Sequence, residues 1–173
     1  MRSLKILAVA GLGATMLTMA VRAGGDKILF PENYAKGVLY TTVDRPDNKQ
    51  FRELYTSKDA VDAVKAGRDI PSGTVITMVN YKAKLNAAGE PEKDANGRFV
   101  KTDEIAGIAV MEKRAGWGGE YPDTVRNGEW EYQAFKADKT VNDKANLQAC
   151  FGCHKPLDKQ DFVFSFDKLK AAQ

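Results

Sequence analysis

Both cysteines and the only histidine of this 173-residue chain fall within Cys150-Phe-Gly-Cys153-His154, close to the C-terminus. Whatever fold forms must bring all thiol and imidazole chemistry to that one place. Two thiols at this spacing suit addition to the two vinyl groups of a haem as thioethers, and the adjacent imidazole then reaches the iron as proximal ligand. A disulfide, structural or thioredoxin-like, would use the same pair but leaves His154 without a role, and no βαβ pattern precedes it. A structural zinc site wants four ligands and usually two such pairs. The residues therefore point to one covalent haem c held by Cys150 and Cys153, with iron on His154.

The first 23 residues have a different character. Arg2 and Lys5 precede an apolar run from Ile6 to Val21, and Val21-Arg22-Ala23 offers small residues where a signal peptidase reads. Gly11, Gly13, Thr15 and Thr18 interrupt the run, which is short for a membrane span of ~20 strongly apolar residues. We read residues 1–23 as a cleaved secretory signal, 24–173 as one domain, and the location as periplasmic, with no membrane attachment after cleavage. Export suits covalent haem attachment, which bacteria perform outside the inner membrane.

Cleavage removes Arg2, Lys5 and Arg22 and no acid, so the formal charge of +3 falls to zero. Nucleic acid is thereby not expected as a partner: Lys155, Lys159, Lys168 and Lys170 interleave with Asp158, Asp161 and Asp167 as on a solvated face. The balance of 43% apolar and 28% charged residues suits a folded domain rather than a disordered chain.

The rest of the chain reads as strands with short helices. Gly37–Val43, Phe51–Thr56, Thr74–Tyr81, Ile105–Lys113 and Trp130–Phe135 are β-branched and aromatic runs. Arg45-Pro-Asp-Asn48 is a turn, and the polar stretch Asn86–Arg98 a loop or hairpin tip. Ser57 caps a helix reaching Ala66, with Ala60, Val61, Ala63 and Val64 on helical spacing and Gly67 as its stop. A second helix is expected over Asn142–Ala149, leading into the cysteine motif. The fold class is α+β: an antiparallel sheet with short flanking helices and haem attached near the C-terminus.

With one histidine in the chain, a second imidazole cannot close the sixth iron position. Met1, Met16 and Met19 leave with the signal, so Met78 and Met111 are the thioethers that remain. Either Met78 closes that position, giving a His/Met electron carrier, or it stays open to small ligands such as nitric oxide. Met78 is equally suited to fill core space, as are Trp117 and Trp130, which could otherwise edge the haem.

The C-terminal Cys-x-x-Cys-His, the following Asp161-Phe-Val-Phe164, the strand opening Gly73-Thr-Val-Ile76 and the aromatic strand at Trp130 together resemble cytochrome P460 and its relative cytochrome c′-β. The resemblance runs from about Pro31 onward. It implies a small antiparallel sheet, commonly in a dimer, with His154 proximal and sheet side chains facing the distal side of the haem. It also implies oxidation of hydroxylamine where a lysine bonds covalently to the macrocycle and a distal carboxylate accepts a proton. Here Met78 stands at the lysine's position, Lys82 and Lys84 lie further along, and Ala109 falls near the carboxylate's position with Glu112 the closest acid. The cross-link is therefore not expected, and redox transfer or ligand binding without turnover is favoured over a hydroxylamine or nitric oxide oxidoreductase. In c′-β relatives apolar, often aromatic, side chains line the distal side; Phe51, Tyr55 and Ile76 are the wall residues expected from this.

Mass spectrometry of the exported protein checks both ends of this reading. The expected product begins at Gly24 and carries the mass of one haem, and Cys150→Ala/Cys153→Ala abolishes that addition.

Overall fold

The structure, a computed structural model, describes residues 27–173. The segment read as a signal lies outside the described residues. Five strands form one antiparallel sheet in sequence order: β1 (Val38–Arg45), β2 (Gln50–Thr56), β3 (Val75–Ala83), β4 (Lys101–Lys113) and β5 (Trp130–Phe135). The strands follow one another as an antiparallel meander, with a tight turn between β1 and β2 and longer connections between the others. Three helices flank it: α1 (Lys58–Lys65), α2 (Leu147–His154) and α3 (Phe166–Ala171). The α+β class is as expected.

Each β-branched run became a strand because the pleat can bury one or both of its faces. Paired residues share a face, so the register sorts the side chains. One rung joins Leu54, Met78, Ala109 and Ala134; its neighbours on the same face join Ile76, Met111 and Tyr132, and Arg52, Asn80 and Gly107. We call this the inner face. Its core also takes Val61 and Val64 from α1, Phe151 from α2 and Leu169 from α3. The outer face carries Val79, Ile108, Val110 and Phe135 and is covered by the leading segment, with Ile28 buried and the Phe30 ring 5.3 Å from Phe135.

Helix α1 begins where the sequence predicts. Ser57 Oγ accepts from the Ala60 amide at 3.2 Å, and Ala60, Val61, Ala63 and Val64 form the buried stripe. Gly67, at φ +69°, ends it in a conformation few side chains accept. Tyr40 Oη and Ser165 Oγ, 2.8 Å apart, tie β1 to the residue before α3. The Asn86–Arg98 stretch is a hairpin extension, in which Asn86 and Asp94 each cap their own turn through a side-chain oxygen.

The second helix departs from expectation. It covers Leu147–His154 rather than Asn142–Ala149, so the cysteine motif is itself helical. Asn142 explains the delay: its amide donates to the Ala134 carbonyl at 2.9 Å, and its side chain accepts from Lys144. Residues 141–142 thus still belong to the edge of β5, and the local side-chain bond competes with a helical turn.

The N-cap is a simple test of the α1 account. Ser57→Ala is expected to cost about 1 kcal/mol, read as a lower denaturation midpoint with an unchanged slope, whereas Ser57→Asp stays near wild type.

Candidate functional site

Helical geometry groups the motif. Cys150, Cys153 and His154 stand at i, i+3 and i+4 and so share one side of α2. Phe151 points away into the core, its ring 5.2 Å from Tyr121 and 4.7 Å from Tyr132. Neither cysteine is in a disulfide; Cys153 is exposed, and Cys150 packs against the inner-face core. Burial, with Cys153 as neighbour, pushes the Cys150 thiol above its ordinary range.

The imidazole of His154 is held in one tautomer. Its Nδ1 lies 2.6 Å from the Phe162 carbonyl oxygen, which can only accept, so Nδ1 donates and Nε2 keeps its lone pair. The ring sits 4.9 Å from Tyr132 and 5.0 Å from Phe164. Burial pushes His154 below the usual histidine value, and the bond to Phe162 draws it part of the way back. A neutral imidazole with a free Nε2 is the form that ligates iron.

The loop before β5 fastens this helix. Asn127, fully buried, donates through Nδ2 to Tyr132 Oη at 2.9 Å and to the Phe151 carbonyl at 3.1 Å. Lys155 Nζ donates to the carbonyls of Arg126, at 2.7 Å, and Asp123.

The inner face of the sheet is not uniformly covered. Ile76, Met111 and Tyr132 are buried, while Met78, Ala109, Ala134, Arg52, Asn80 and Gly107 are half-buried. Alanine and glycine on β4 and β5 keep the side chains of this stretch small. At its far end Arg52 Nε and Asn80 Oδ1 are buried without hydrogen-bond partners, although Asn80 Nδ2 donates to the Gly107 carbonyl at 3.0 Å. Burial pushes the Arg52 guanidinium below its ordinary value. A spare donor and acceptor on cross-strand neighbours fit a bound polar group, since buried polar atoms seldom go unpaired.

The expected site residues therefore divide. Cys150 and Met78 each pack against the inner-face core that contains Ile76, and the His154 ring lies tilted against Tyr132 of that core. Phe51 and Tyr55 do not join them. The straight β2 register from Gln50 to Tyr55 puts Arg52 and Leu54 inward and sends Phe51, Glu53 and Tyr55 outward. Tyr55 packs on Tyr34 at 5.3 Å and donates to Glu53 at 2.7 Å, and Phe51 lies under the Arg98 guanidinium. On the inner face β2 presents Arg52 and Leu54 instead of the aromatics. Glu112 also faces outward and is paired with Arg114. Two surface hollows of about 330 and 430 Å³ lie elsewhere, and neither includes the cysteine motif or Met78.

Among the described residues no cluster of three or more His, Cys, Asp or Glu could hold a bare metal ion. Two unpaired thiols and an imidazole on one side of α2, on an α+β domain, are a donor set that would suit a covalently held haem. The family model for cytochrome P460 matches residues 31–165, and the chain belongs to that family. No curated protein matches it.

His154 gives a pH test in the haem-free Cys150→Ala/Cys153→Ala variant. A depressed folded-state value means the unfolded chain binds the proton more readily, so stability is full above the ordinary value of 6.5 and is lost as pH falls below it. Denaturation between pH 7.5 and 5.5 is expected to show this loss, and adding His154→Gln should remove that part of the slope.

Proposed function

We propose that this chain is a periplasmic mono-haem c-type cytochrome that binds a small ligand such as nitric oxide and exchanges electrons with a redox partner protein. Cys150 and Cys153 hold the haem as thioethers, and His154 Nε2 is the proximal ligand. When bound, the haem supplies the redox-active iron; the chain supplies its orientation, its surroundings and the polarity of its distal side. Export rests on residues 1–23. No helix among the described residues is long and apolar enough to cross a membrane. A second copy of the chain is a further partner, in line with the dimers of the family.

The observation that carries the ligand-binding reading is the makeup of the three inner-face rungs. Met78 replaces the lysine of the hydroxylamine-oxidising relatives, Ala109 and Ala134 flank it, and these rungs hold no carboxylate. Proton transfer out of a bound hydroxylamine would have no acceptor there. Arg52 can donate to a polar ligand, while the alanines leave space for a small one. This supports binding without turnover.

A His/Met electron carrier is the second reading, favoured by the place of Met78 on the partly open rung. Met111 has less claim, being 7% exposed and packed beside Ile76 and Tyr132. Absorption and resonance Raman spectra separate the readings. A high-spin, five-coordinate haem that takes up nitric oxide and is unchanged in spin state by Met78→Ala is expected. A low-spin haem that becomes high-spin in Met78→Ala would establish the carrier instead. Steady-state hydroxylamine oxidation with an added electron acceptor would contradict both.

A further inference from the structure

Asp161 and Phe162 follow the haem-binding helix in an unusual backbone state. Both are non-glycine residues with positive φ, 49° and 59°. Aspartate tolerates the left-handed region through local side-chain bonds, but phenylalanine in it is an outlier. Such strain persists only where the surroundings over-determine it.

Here the surroundings converge on the Asp161 carboxylate. Lys113 Nζ donates to its Oδ2 at 2.7 Å, and Trp130 Nε1 donates to its Oδ1 at 3.2 Å. Lys113 and Trp130 are cross-strand partners, so one rung of the sheet grips both oxygens. Trp130 is fully buried, and the Lys113 side chain is 14% exposed. The turn is closed by the Phe162 amide on the Leu157 carbonyl at 2.8 Å, and Val163 is buried behind it. Gly128 completes the fit: a Cβ there would stand 3.0 Å from the Phe162 ring.

The product of this arrangement is the direction of one carbonyl, that of Phe162, on which His154 Nδ1 bonds. Resting on the haem-cytochrome reading above, we infer that Asp161, gripped by Lys113 and Trp130, is the positioning residue for the axial imidazole. It acts through Phe162 and touches neither iron nor ligand. Holding the left-handed turn keeps the carbonyl on Nδ1. That fixes the plane of the ring and adds imidazolate character to Nε2, which favours ferric over ferrous iron. Loss of the grip lets Phe162 relax and weakens the hydrogen bond. The midpoint potential then rises, and the iron–histidine bond weakens.

The test uses the haem-loaded full chain. Midpoint potentials are measured for wild type, Asp161→Ala, Asp161→Asn and Lys113→Met. The iron–histidine stretch of the ferrous haem is recorded for each in a Met78→Ala background, which opens the sixth position in either reading. Asp161→Ala is expected to raise the potential and lower the stretch, and Lys113→Met and Asp161→Asn to do both to a smaller extent. Asparagine tolerates the left-handed turn but keeps only one of the two gripped oxygens. Wild-type values in haem-loaded, folded Asp161→Ala overturn the inference; should that variant not fold, wild-type values in Lys113→Met do so. The underlying reading fails separately, and visibly, if the wild-type chain carries no covalent haem.

Discussion

The hydrogen bond from His154 to the Phe162 carbonyl is the constraint on which the site depends. It leaves Nε2 as the one free imidazole nitrogen in a chain with a single histidine. It also ties the end of α2 to the turn that follows, and that turn to the last rung of β4 and β5. The positions of both thiols follow from the helix that carries the imidazole. Phe151 and Asn127 fasten the helix to the sheet, and this bond fixes which imidazole nitrogen it presents.

The sheet contributes by having two unlike faces. The outer face sets an apolar cluster under the leading segment beside buried Thr77, Glu112, Glu131 and Gln133, while the inner face is part core and part half-buried. Ile76, Met111 and Tyr132 anchor the helices, and the next two rungs remain low and partly polar. Strand alternation makes this division strict: a one-residue slip of β3 would bury Thr77 and Val79 toward α2 and turn Met78 outward. The identity of the residue at position 78 therefore has chemical meaning only because the register places it beside Leu54 and Ala109.

Much of this was legible in the residues. The five strands, the Ser57 cap and the concentration of thiol and imidazole chemistry near the C-terminus all follow from local pattern. Strand β2 shows where pattern fails. Phe51, Glu53 and Tyr55 on one side and Arg52 and Leu54 on the other are both mixtures of apolar and charged, so alternation alone cannot choose the inward set. Only pairing with β3 decides it, and it decides against the aromatics. The start of α2 was hidden for a different reason, since Asn142 spends its amide and side chain on the edge of β5. Asp161 was visible as part of a family echo, but its grip by Lys113 and Trp130 joins residues far apart in sequence. No local signal marks such a contact.

The central claim is that the haem lies between the His154 side of α2 and the Met78, Ala109 and Ala134 rung. Proton NMR of the diamagnetic ferrous carbon monoxide complex tests it directly, because a haem ring current shifts only the methyl groups close to its plane. The account predicts strongly shifted methyl resonances for Met78, Ala109 and Ala134 and ordinary ones for outer-face Val79 and Val110. Ordinary shifts for the inner rung, or displaced ones for Val79 and Val110, would contradict it.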